Sequence, residues 1–362
     1  TSSAASDVYK RQNKKYAVPG ENLKTNLISE IQNKASDEMR GIRGAVVMIN
    51  CQNGGVNCLY SSPSFNNNEF SDGVSLKKWN SLLADEFNPL LNRCIAGLYS
   101  PGSTYKLVTA LHAIENQKFN KNKKFLCSGH VSFGNRKFHC WKKEGHGYVN
   151  LHEAIEKSCD CYFYNLARTI QIDDLAKFSN LFSYGQTTGI DIPNELKGIM
   201  PDRKWKMKNR GEKWQKGETL NTVIGQGFML STPLQITLMT ARIATGKKII
   251  PSIISNEKEF ENLKINIKNL EFIKSSMFSV VNNSTGTAFN SKLSGYYKMA
   301  GKTGTSQVRR ISLEEREDGV IKNEELKYKL RDHSIFTCFA PFDKPKYSLS
   351  VIAEHMGSGS KV

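Results

Sequence analysis

The sequence lacks any long apolar run. Its 362 residues contain no stretch of about 18 consecutive apolar residues, so we predict no membrane-spanning helix. The opening TSSAASDVYKRQ has no apolar core, which excludes a signal peptide, and we interpret residues 1–15 as a tail or a sequencing scar. There is no internal repeat and no low-complexity tract. With 39% apolar residues, the chain is long enough for one large domain or two modest ones.

Acidic residues are scarce relative to basic ones. Lys and Arg number 51 against 34 Asp and Glu, which gives a formal net charge of +17. Such a balance is typical of proteins that bind nucleic acid, a membrane surface or an acidic polymer. The basic residues are scattered and no zinc-finger, RRM or basic-zipper pattern occurs, so we predict no nucleic-acid partner. The densest run, PDRKWKMKNRGEKWQKGE (201–218), is either a solvated loop or a weak contact to an anionic polymer.

Cysteine is too sparse for a disulfide scaffold, because only eight are spread over the chain. Cys51 and Cys58 flank a predicted hairpin turn at Asn53-Gly54-Gly55. Either a cross-strand disulfide or two buried thiols would fit this placement, and the sequence leaves both open. Four other cysteines lie between residues 127 and 161 and need a separate explanation.

Hydrophobic periodicity predicts strands near both ends of the chain and helices between them. The predicted elements are a helix within 21–43, a hairpin at 44–62, a helix at 231–245, a charged loop at 309–331 and strands at 296–308, 333–342 and 346–355. The simplest assembly is one antiparallel sheet built from both chain ends, with helices packed against it and a long helical segment inserted. We therefore predict an α+β fold.

A short stretch combines a turn with two reactive side chains. In AGLYSPGSTYKLVTALHAIE (96–115), a Pro-Gly turn precedes a predicted helix that carries Ser103 and Lys106. Positions three apart share one helix face, so the two side chains can meet. Taken alone, the pattern also fits a serine N-cap and an exposed lysine.

Two further patterns follow in order. In KSCDCYFYNLA (157–167), Ser158 and Asp160 flank a cysteine. A predicted strand then carries GKTGT, and a glycine inside a strand suggests that another backbone or a ligand approaches closely. The residues of this strand edge are Lys302, Thr303, Gly304 and Thr305. The ordered set S-x-x-K, S-x-D and K-T-G-T is far more specific than any one of its members, because it is the signature of penicillin-binding proteins and serine β-lactamases.

With these motifs the chain resembles the transpeptidase domain of class B penicillin-binding proteins, and within it the penicillin-binding protein 2 branch that acts in cell elongation. SSPSFNNNEFSDGVS, IGQGFMLSTPLQ and KLRDHSIFTCFAP extend the resemblance to roughly residues 20–357. It implies the penicillin-binding and β-lactamase-like fold, an antiparallel five-stranded sheet flanked by helices with an inserted all-α lobe. The implied boundaries are one domain at 16–362, its α/β part at about 20–116 and 290–357, and the lobe at about 117–289.

The resemblance implies a role for each motif residue. Ser103 is the nucleophile and Lys106 its base, since a serine hydroxyl needs a base within reach. Lys302 is the neighbouring cation that lowers the pKa of Lys106. Ser158 relays the proton to the leaving amine, and Asp160, which stands where many relatives carry Asn, orients the lysine or the serine. Further, Thr303 and Thr305 join Lys302 in binding a substrate carboxylate, and N–H groups at Ser103 and Thr305 hold the oxyanion.

The resemblance also implies substrates, partners and a location. The donor is a peptidoglycan stem peptide ending in D-Ala-D-Ala, and the acceptor amine belongs to meso-diaminopimelate on a neighbouring stem. β-Lactams acylate the same serine, no catalytic cofactor is needed, and a membrane glycan polymerase is the implied partner. Relatives act at the periplasmic face of the inner membrane and carry a membrane helix, a pedestal domain and a C-terminal helix, which we expect to be absent from this fragment.

The cysteine-rich segment CSGHVSFGNRKFHCWKKEGHGYVNLHEAIEKSCDC (127–161) suggests a structural metal. Cys127, Cys140, His146 and Cys159 supply the thiolates and imidazole that suit a four-coordinate zinc, although the spacing matches no common zinc finger. Free buried cysteines or a disulfide are the alternatives. Some elongation-type relatives hold zinc here with mixed Asp, His and Cys ligands. The weaker ligand candidates are His130, His139 and Cys161.

Two other functions compete with transpeptidation. A serine β-lactamase would hydrolyse its acyl-enzyme, but we see no residue placed to activate a deacylating water. A β-lactam sensor would acylate once and stop. An assay with a stem-peptide donor and an amine acceptor separates the three.

Overall fold

The computed structural model describes residues 18–71, 73–116, 119–255, 258–309, 315 and 321–359. The predicted tail at 1–15 and part of the predicted loop at 309–331 lie outside these residues. The strands are β1 Gly44–Asn50, β2 Val56–Ser62, β3 Phe125–Cys127, β4 His130–Phe133, β5 Arg136–His139, β6 Gly147–Val149, β7 Ala300–Ser306, β8 His333–Ala340 and β9 Tyr347–Ala353. The α-helices are α1 Ser29–Glu38, α2 Leu76–Ala84, α3 Arg93–Ala96, α4 Lys106–Glu115, α5 Leu151–Glu156, α6 Asp160–Ala167, α7 Ile172–Ser179, α8 Arg203–Arg210, α9 Lys216–Thr222, α10 Pro233–Thr245 and α11 Ile267–Asn282. In the described part of the chain, every helix is too short or too polar to cross a membrane.

One antiparallel sheet of five strands has the order β2-β1-β9-β8-β7. The hairpin β1-β2 closes where Asn53 Oδ1 accepts the Gly55 N–H at 2.9 Å and Gly54 takes φ +73°, a conformation that favours glycine. Strand β9 pairs with β1 on one side and β8 on the other. The predicted α+β class and the sheet from both chain ends are confirmed, and β7 forms one edge of the sheet.

Two long helices cover one face of this sheet. Helix α10 begins with a capping box between Thr232 and Gln235, with Pro233 at its first position, and ends at Gly246 in the left-handed region. Its residues 233–244 are buried, and it packs against β1, β8 and β9. Helix α11 packs against β7. Both helices fall within 117–289, so the predicted lobe segment also supplies the layer that covers the sheet.

The opposite face is covered by α1, which is shorter than the predicted helix at 21–43. Ala35 and Met39 are buried against Val46 and Cys58. Residues before the helix are extended instead, because Thr25 bridges to Ile254 and ties the chain to a distant segment. This pairing explains why residues 21–28 of the predicted helix are not helical.

The inserted segment is not all-helical, which corrects the prediction of an all-α lobe. Strands β3 and β6 pair antiparallel, as do β4 and β5. Gly129 and Gly145 adopt positive φ, and a Cβ at either position would lie within 2.1 Å of a backbone oxygen. Glycine at both positions therefore permits the turn between β3 and β4 to lie against the turn between β5 and β6. The rest of the segment is built mainly from helices α5 to α11.

Cys51 and Cys58 do not form the disulfide considered above. Both thiols are free and buried. Cys51 packs with Ile49 in the core beneath α10, whereas Cys58 packs with Met39 under α1. The two thiols therefore lie on opposite faces of the sheet, and the alternative of two buried thiols describes the structure.

Candidate active site

Ser103 lies in a 3-10 turn, Gly102–Thr104, directly before α4. Gly102 has φ +54°, and its N–H donates to Gly225 O at 2.9 Å. A Cβ on Gly102 would lie 2.4 Å from Thr305 O, so only glycine lets this turn lie against β7. The alternative of a serine N-cap does not describe the structure, because Tyr105 occupies the N-cap of α4. The turn instead places Ser103 beside the edge strand.

Lys106 is completely buried and bound on three sides. Its Nζ lies 2.8 Å from Ser158 O, 3.2 Å from Ser158 Oγ and 2.7 Å from Asp160 Oδ1. Three acceptors engage all three hydrogens of an ammonium group. The S-x-x-K spacing thus brings Lys106 to the S-x-D segment, and its three bonds go there rather than to Ser103.

Ser158 Oγ lies between two lysines. Lys302 Nζ donates to it at 2.9 Å and to Thr303 O at 3.1 Å. Burial, and then the charge of Lys106, hold the pKa of Lys302 well below its usual range, against the opposing effect of Asp160. Ser158 itself has φ +54°, which is uncommon for a non-glycine residue and is typical of functional sites.

Asp160 begins helix α6 and uses both carboxylate oxygens. Oδ1 accepts from Lys106, and Oδ2 accepts the Trp141 N–H at 3.0 Å. Burial raises the pKa of Asp160, while the charge of Lys106 lowers it and that of Cys140 raises it. The carboxylate therefore orients Lys106 in a site with little solvent.

The two threonines of the edge strand β7 differ in exposure and in their hydrogen-bond partners. Thr303 is only 7% exposed, and its Oγ1 lies 2.8 Å from Thr287 Oγ1. Thr305 is more exposed, and its carbonyl accepts from Gln226 Nε2 at 2.9 Å, on the open side of the strand. The N–H and C=O of one strand residue point to the same side, so the Thr305 N–H faces the cleft beside Ser103. A Cβ on Gly304 would lie 3.0 Å from Pro101 O, the close approach that a strand glycine predicts.

Three supporting residues were not identified from the sequence. Glu156 accepts hydrogen bonds from the Thr285 hydroxyl and the Asn283 amide. Thr287, which donates its N–H to Glu156 O at 3.3 Å, contacts Thr303. Gln226 fixes the open side of β7 from the stretch IGQGFMLSTPLQ. The polar run NNSTGT (282–287) signals a loop, but no local pattern shows which strand that loop supports.

The four predicted zinc ligands lie together. Their ligand atoms are all within 4.8 Å of one another, and Cys127, Cys140 and Cys159 are buried. His146 Nδ1 lies 3.5 Å from both Cys127 Sγ and Cys140 Sγ. Hydrogen bonds from the Cys159 and Cys161 thiols hold the pKa of Cys140 far below its usual range. Three sulfurs and one ring nitrogen at this spacing fit a four-coordinate structural site.

The weaker ligand candidates are arranged differently. His130 and His139 face each other across β4 and β5, with ring centroids 5.9 Å apart. Cys161 is buried next to the cluster, and its hydrogen bond to Cys140 raises its pKa. No described residue outside the predicted four joins the metal-ligand group.

The chain is similar to known proteins over nearly its full length. The peptidoglycan D,D-transpeptidase MrdA of Acinetobacter baumannii is 36% identical over 377 residues, which cover 99% of this chain and 55% of that protein. PBP2 of Helicobacter pylori, in its complex with MreC, superposes with a TM-score of 0.87 at 36% identity, over 97% of this chain and 64% of that one. PBP2 of Pseudomonas aeruginosa superposes with a TM-score of 0.84 at 33% identity, over 95% of this chain and 76% of that one. The chain spans about half the length of the curated relatives it matches.

The family match agrees with the arrangement of the three motifs. The family described as the penicillin binding protein transpeptidase domain matches residues 44–362, which include the Ser103 turn, the Ser158 segment and the β7 edge. One of these relatives carries the name peptidoglycan D,D-transpeptidase, and the two solved structures, both of penicillin-binding proteins, superpose on nearly the whole of this chain. We conclude that this chain belongs to the family of penicillin binding protein transpeptidase domains.

Proposed function

We propose that this chain is the acyl-transfer domain of a peptidoglycan D,D-transpeptidase that acts in cell elongation. One observation carries the proposal. The Ser103 turn lies against the Thr305 backbone, and Lys106, three residues after Ser103, shares Ser158 Oγ with Lys302 of β7. A nucleophile, a chain of proton carriers and a strand edge that can bind a peptide therefore meet at one cleft.

The reaction begins with a D-Ala-D-Ala stem peptide laid along β7. Lys106 must first lose one ammonium proton to solvent, and with it the hydrogen bond to Ser158 Oγ. Its free amine then takes the proton from Ser103 Oγ, which attacks the carbonyl carbon of the penultimate D-Ala. The N–H groups of Ser103 and Thr305 bind the resulting oxyanion. As the peptide C–N bond breaks, Ser158 Oγ passes the proton from Lys106 to the departing D-Ala amine. An ester between Ser103 and the stem remains.

The second half transfers that ester to an amine. The side-chain amine of a neighbouring stem, meso-diaminopimelate in the resembling branch, attacks the ester and releases Ser103. During the first half, the β7 residues Lys302, Thr303 and Thr305 hold the terminal carboxylate of the donor, which then departs with the released D-Ala. A β-lactam acylates Ser103 in the same way, since its ring carbonyl replaces that of D-Ala.

A donor-acceptor assay tests this proposal against its alternatives. The purified chain is supplied with a synthetic stem ending in D-Ala-D-Ala and with an amine acceptor, and products are separated by mass. Transpeptidation predicts a cross-linked peptide and released D-Ala. A β-lactamase predicts rapid hydrolysis of penicillin, and a sensor predicts a stable penicilloyl adduct with no peptide product. Hydrolysis alone, with no cross-link at any acceptor concentration, would contradict the proposal.

The remaining assignments rest on the family resemblance. We propose that residues 16–362 form one transpeptidase domain, that the whole protein works at the periplasmic face of the inner membrane, and that a membrane glycan polymerase supplies the strands it cross-links. Co-purification of the whole protein with such a polymerase tests the last assignment, and failure of the two to associate in detergent would contradict it.

Zinc is the metal that we propose for the cysteine cluster. Cys127, Cys140, His146 and Cys159 would hold it, and the bound ion would supply a cross-link between the β3–β6 region and the start of α6 rather than any reaction step. Cys159 lies between Ser158 and Asp160 in the chain, so this cross-link would fix both side chains from behind.

Elemental analysis tests the zinc site. Protein purified without added metal should contain about one zinc per chain, the stoichiometry of a single four-ligand site. Cys127→Ser should lower the zinc content and the acylation rate together, whereas Cys51→Ser, the same change at a buried cysteine in a different part of the core, should keep both. A metal-free wild type with normal acylation, or a Cys127–Cys140 disulfide found by mass spectrometry, would contradict the site.

A further inference from the structure

Each edge of the five-stranded sheet is met by a glutamine side chain. On the edge strand β2, Gln32 Nε2 donates to Leu59 O at 3.0 Å, and Gln32 Oε1 accepts the Leu59 N–H at 3.0 Å. A neighbouring antiparallel strand would make the same two bonds to this residue. Gln32 therefore closes the β2 edge at Leu59 as a further strand would.

The glutamine at the β7 edge makes one bond instead of two. Gln226 Nε2 donates to Thr305 O at 2.9 Å, and within the described part of the chain its side chain makes no other hydrogen bond. The Thr305 N–H, which faces the same side, has no bond to Gln226. Gln226 thus covers the acceptor of this edge residue, whereas Gln32 covers both the acceptor and the donor of Leu59.

The backbone of Gln226 is held in place, but its side chain is attached at one point only. The Gln226 N–H donates to Asn221 O at 3.0 Å. The preceding residue, Gly225, accepts the Gly102 N–H at 2.9 Å. A single neutral hydrogen bond is a weak attachment, because water can replace it at little net cost. The side chain can therefore leave Thr305 while the backbone around it stays where it is.

A donor peptide that lies antiparallel to β7 needs the oxygen that Gln226 covers. The proposed reaction places the carbonyl oxygen of the penultimate D-Ala on the Thr305 N–H. Two opposed residues of an antiparallel hydrogen-bonded pair exchange both of their N–H···O bonds. The N–H of the same D-Ala is therefore directed at Thr305 O. The Ser103 turn crowds this oxygen from another side, since a Cβ on Gly102 would lie 2.4 Å from it.

We propose that Gln226 takes the place of the donor's N–H on Thr305 O in the free chain and is displaced when the donor binds. This inference rests on the proposed transpeptidase function and adds a specificity-determining residue to its donor site. A donor whose penultimate residue carries an N–H restores the bond that Gln226 gives up. A ligand that fills the same place without an N–H loses that bond and leaves Thr305 O unpaired.

Two penicillins test the proposal through a ratio of rate constants. One carries an acylamino group, whose N–H corresponds to that of the penultimate D-Ala, and the other is penicillanic acid, the same bicyclic core without that group. The second-order acylation rate constants of both are measured by intact mass for the wild type and for Gln226→Met, whose side chain has no N–H. The ratio of acylamino penicillin to core should rise about two- to tenfold in the variant, because one neutral hydrogen bond no longer has to be broken.

The ratio separates displacement from a merely structural role. If Gln226 only supports β7, its loss changes both rate constants together and the ratio stays the same. Gln32→Met makes the matched change at the other edge of the sheet and should keep the wild-type ratio. A ratio that is unchanged or lower in Gln226→Met would overturn the proposal.

A crystal structure of the wild-type chain acylated by the acylamino penicillin tests the displacement directly. The amide nitrogen of the ligand should lie within hydrogen-bond distance of Thr305 O, with Gln226 Nε2 outside it. An adduct in which Gln226 still donates to Thr305 O would overturn the displacement while leaving the transpeptidase function standing. A wild type that neither penicillin acylates would contradict the proposed function, and this inference would fall with it.

Discussion

The two carboxylate oxygens of Asp160 accept hydrogen bonds from two different neighbours. Oδ1 binds the buried Lys106 ammonium and Oδ2 binds the Trp141 N–H. Both bonds matter because Lys106 is fully buried, and a buried ammonium that loses an acceptor is left with an uncompensated charge. Substitution of Asp160 therefore tests whether its contact with Lys106 is needed for acylation.

We expect Asp160→Asn to retain substantial acylation by a fluorescent penicillin, because the amide oxygen can still accept from Lys106. Asp160→Leu supplies no acceptor and should slow acylation by about a hundredfold, equivalent to about 3 kcal/mol. The second-order acylation rate constant measures both. Equal rates for Asn and Leu would remove Asp160 from the proton path.

His333 predicts a pH dependence of stability. Burial and then His355 lower the pKa of His333 to about 4, with Glu354 raising it and Arg43 lowering it. The ring accepts the His355 N–H at Nδ1, at 3.0 Å. An unfolded histidine titrates near 6.5, so between pH 6.5 and 4 the unfolded state binds the additional proton. Stability should therefore fall as the pH falls through this window, by at most about 3 kcal/mol.

The matched variant is His333→Asn, whose side-chain oxygen can replace Nδ1 as the acceptor and does not titrate. Urea unfolding at pH 7 and pH 5 should show a smaller loss of stability in the variant than in the wild type. The same loss in both proteins would show that His333 is not the group responsible.

At the scale of elements, β7 is an edge strand that is supported from two sides. Thr287 contacts Thr303 from beneath, and Gln226 holds Thr305 from the open side. Glu156 connects the first of these supports to the Ser158 segment, because it binds the 283–287 loop and lies two residues before Ser158. The position of Lys302 therefore depends on residues contributed by three separate elements.

Thr287→Val should cost about 1 kcal/mol of stability, the usual contribution of one hydrogen bond, and slow acylation severalfold through the displaced strand. Thr287→Ser keeps the hydroxyl and should restore both. Acylation rates and urea midpoints of the two variants provide the comparison. If Val and Ser behave alike, the Thr287 hydroxyl does not position β7.

Elements with strong local signals were predictable from the sequence. The Ser-Thr-Pro start of α10 and the Asn-Gly-Gly turn of the first hairpin specify their structures through nearby residues alone. The short pairs β3–β6 and β4–β5 were missed, since three- and four-residue strands leave little periodicity. Helix α1 was predicted too long because the bridge of Thr25 to Ile254 is not visible locally.

The active site also combines residues that a local motif reveals with contacts that depend on distant parts of the chain. The residues that we propose to react could be predicted because each of the three motifs is contiguous in sequence. Gln226 and Thr305 are 79 residues apart, so their contact could be found only from the fold. The three-sided binding of Lys106 also depends on the left-handed backbone of Ser158, which no propensity predicts.

For the whole molecule, the active site forms where the sheet meets the inserted segment. The K-T-G-T motif comes from the sheet, S-x-D comes from the insertion, and the S-x-x-K turn joins the two. The cysteine cluster includes Cys159, which lies between Ser158 and Asp160 in the chain. We propose that this assembly makes Ser103 the one serine that is acylated.

Intact-mass spectrometry after exposure to penicillin tests that claim most directly. The wild-type chain should gain the mass of one penicillin, with the adduct located on the Ser103 peptide after digestion. Ser103→Ala should gain none, while Ser64→Ala, a change at an exposed serine outside the site, should be labelled like the wild type. An adduct of equal yield on Ser103→Ala, or one located on any other residue of the wild type, would contradict the account.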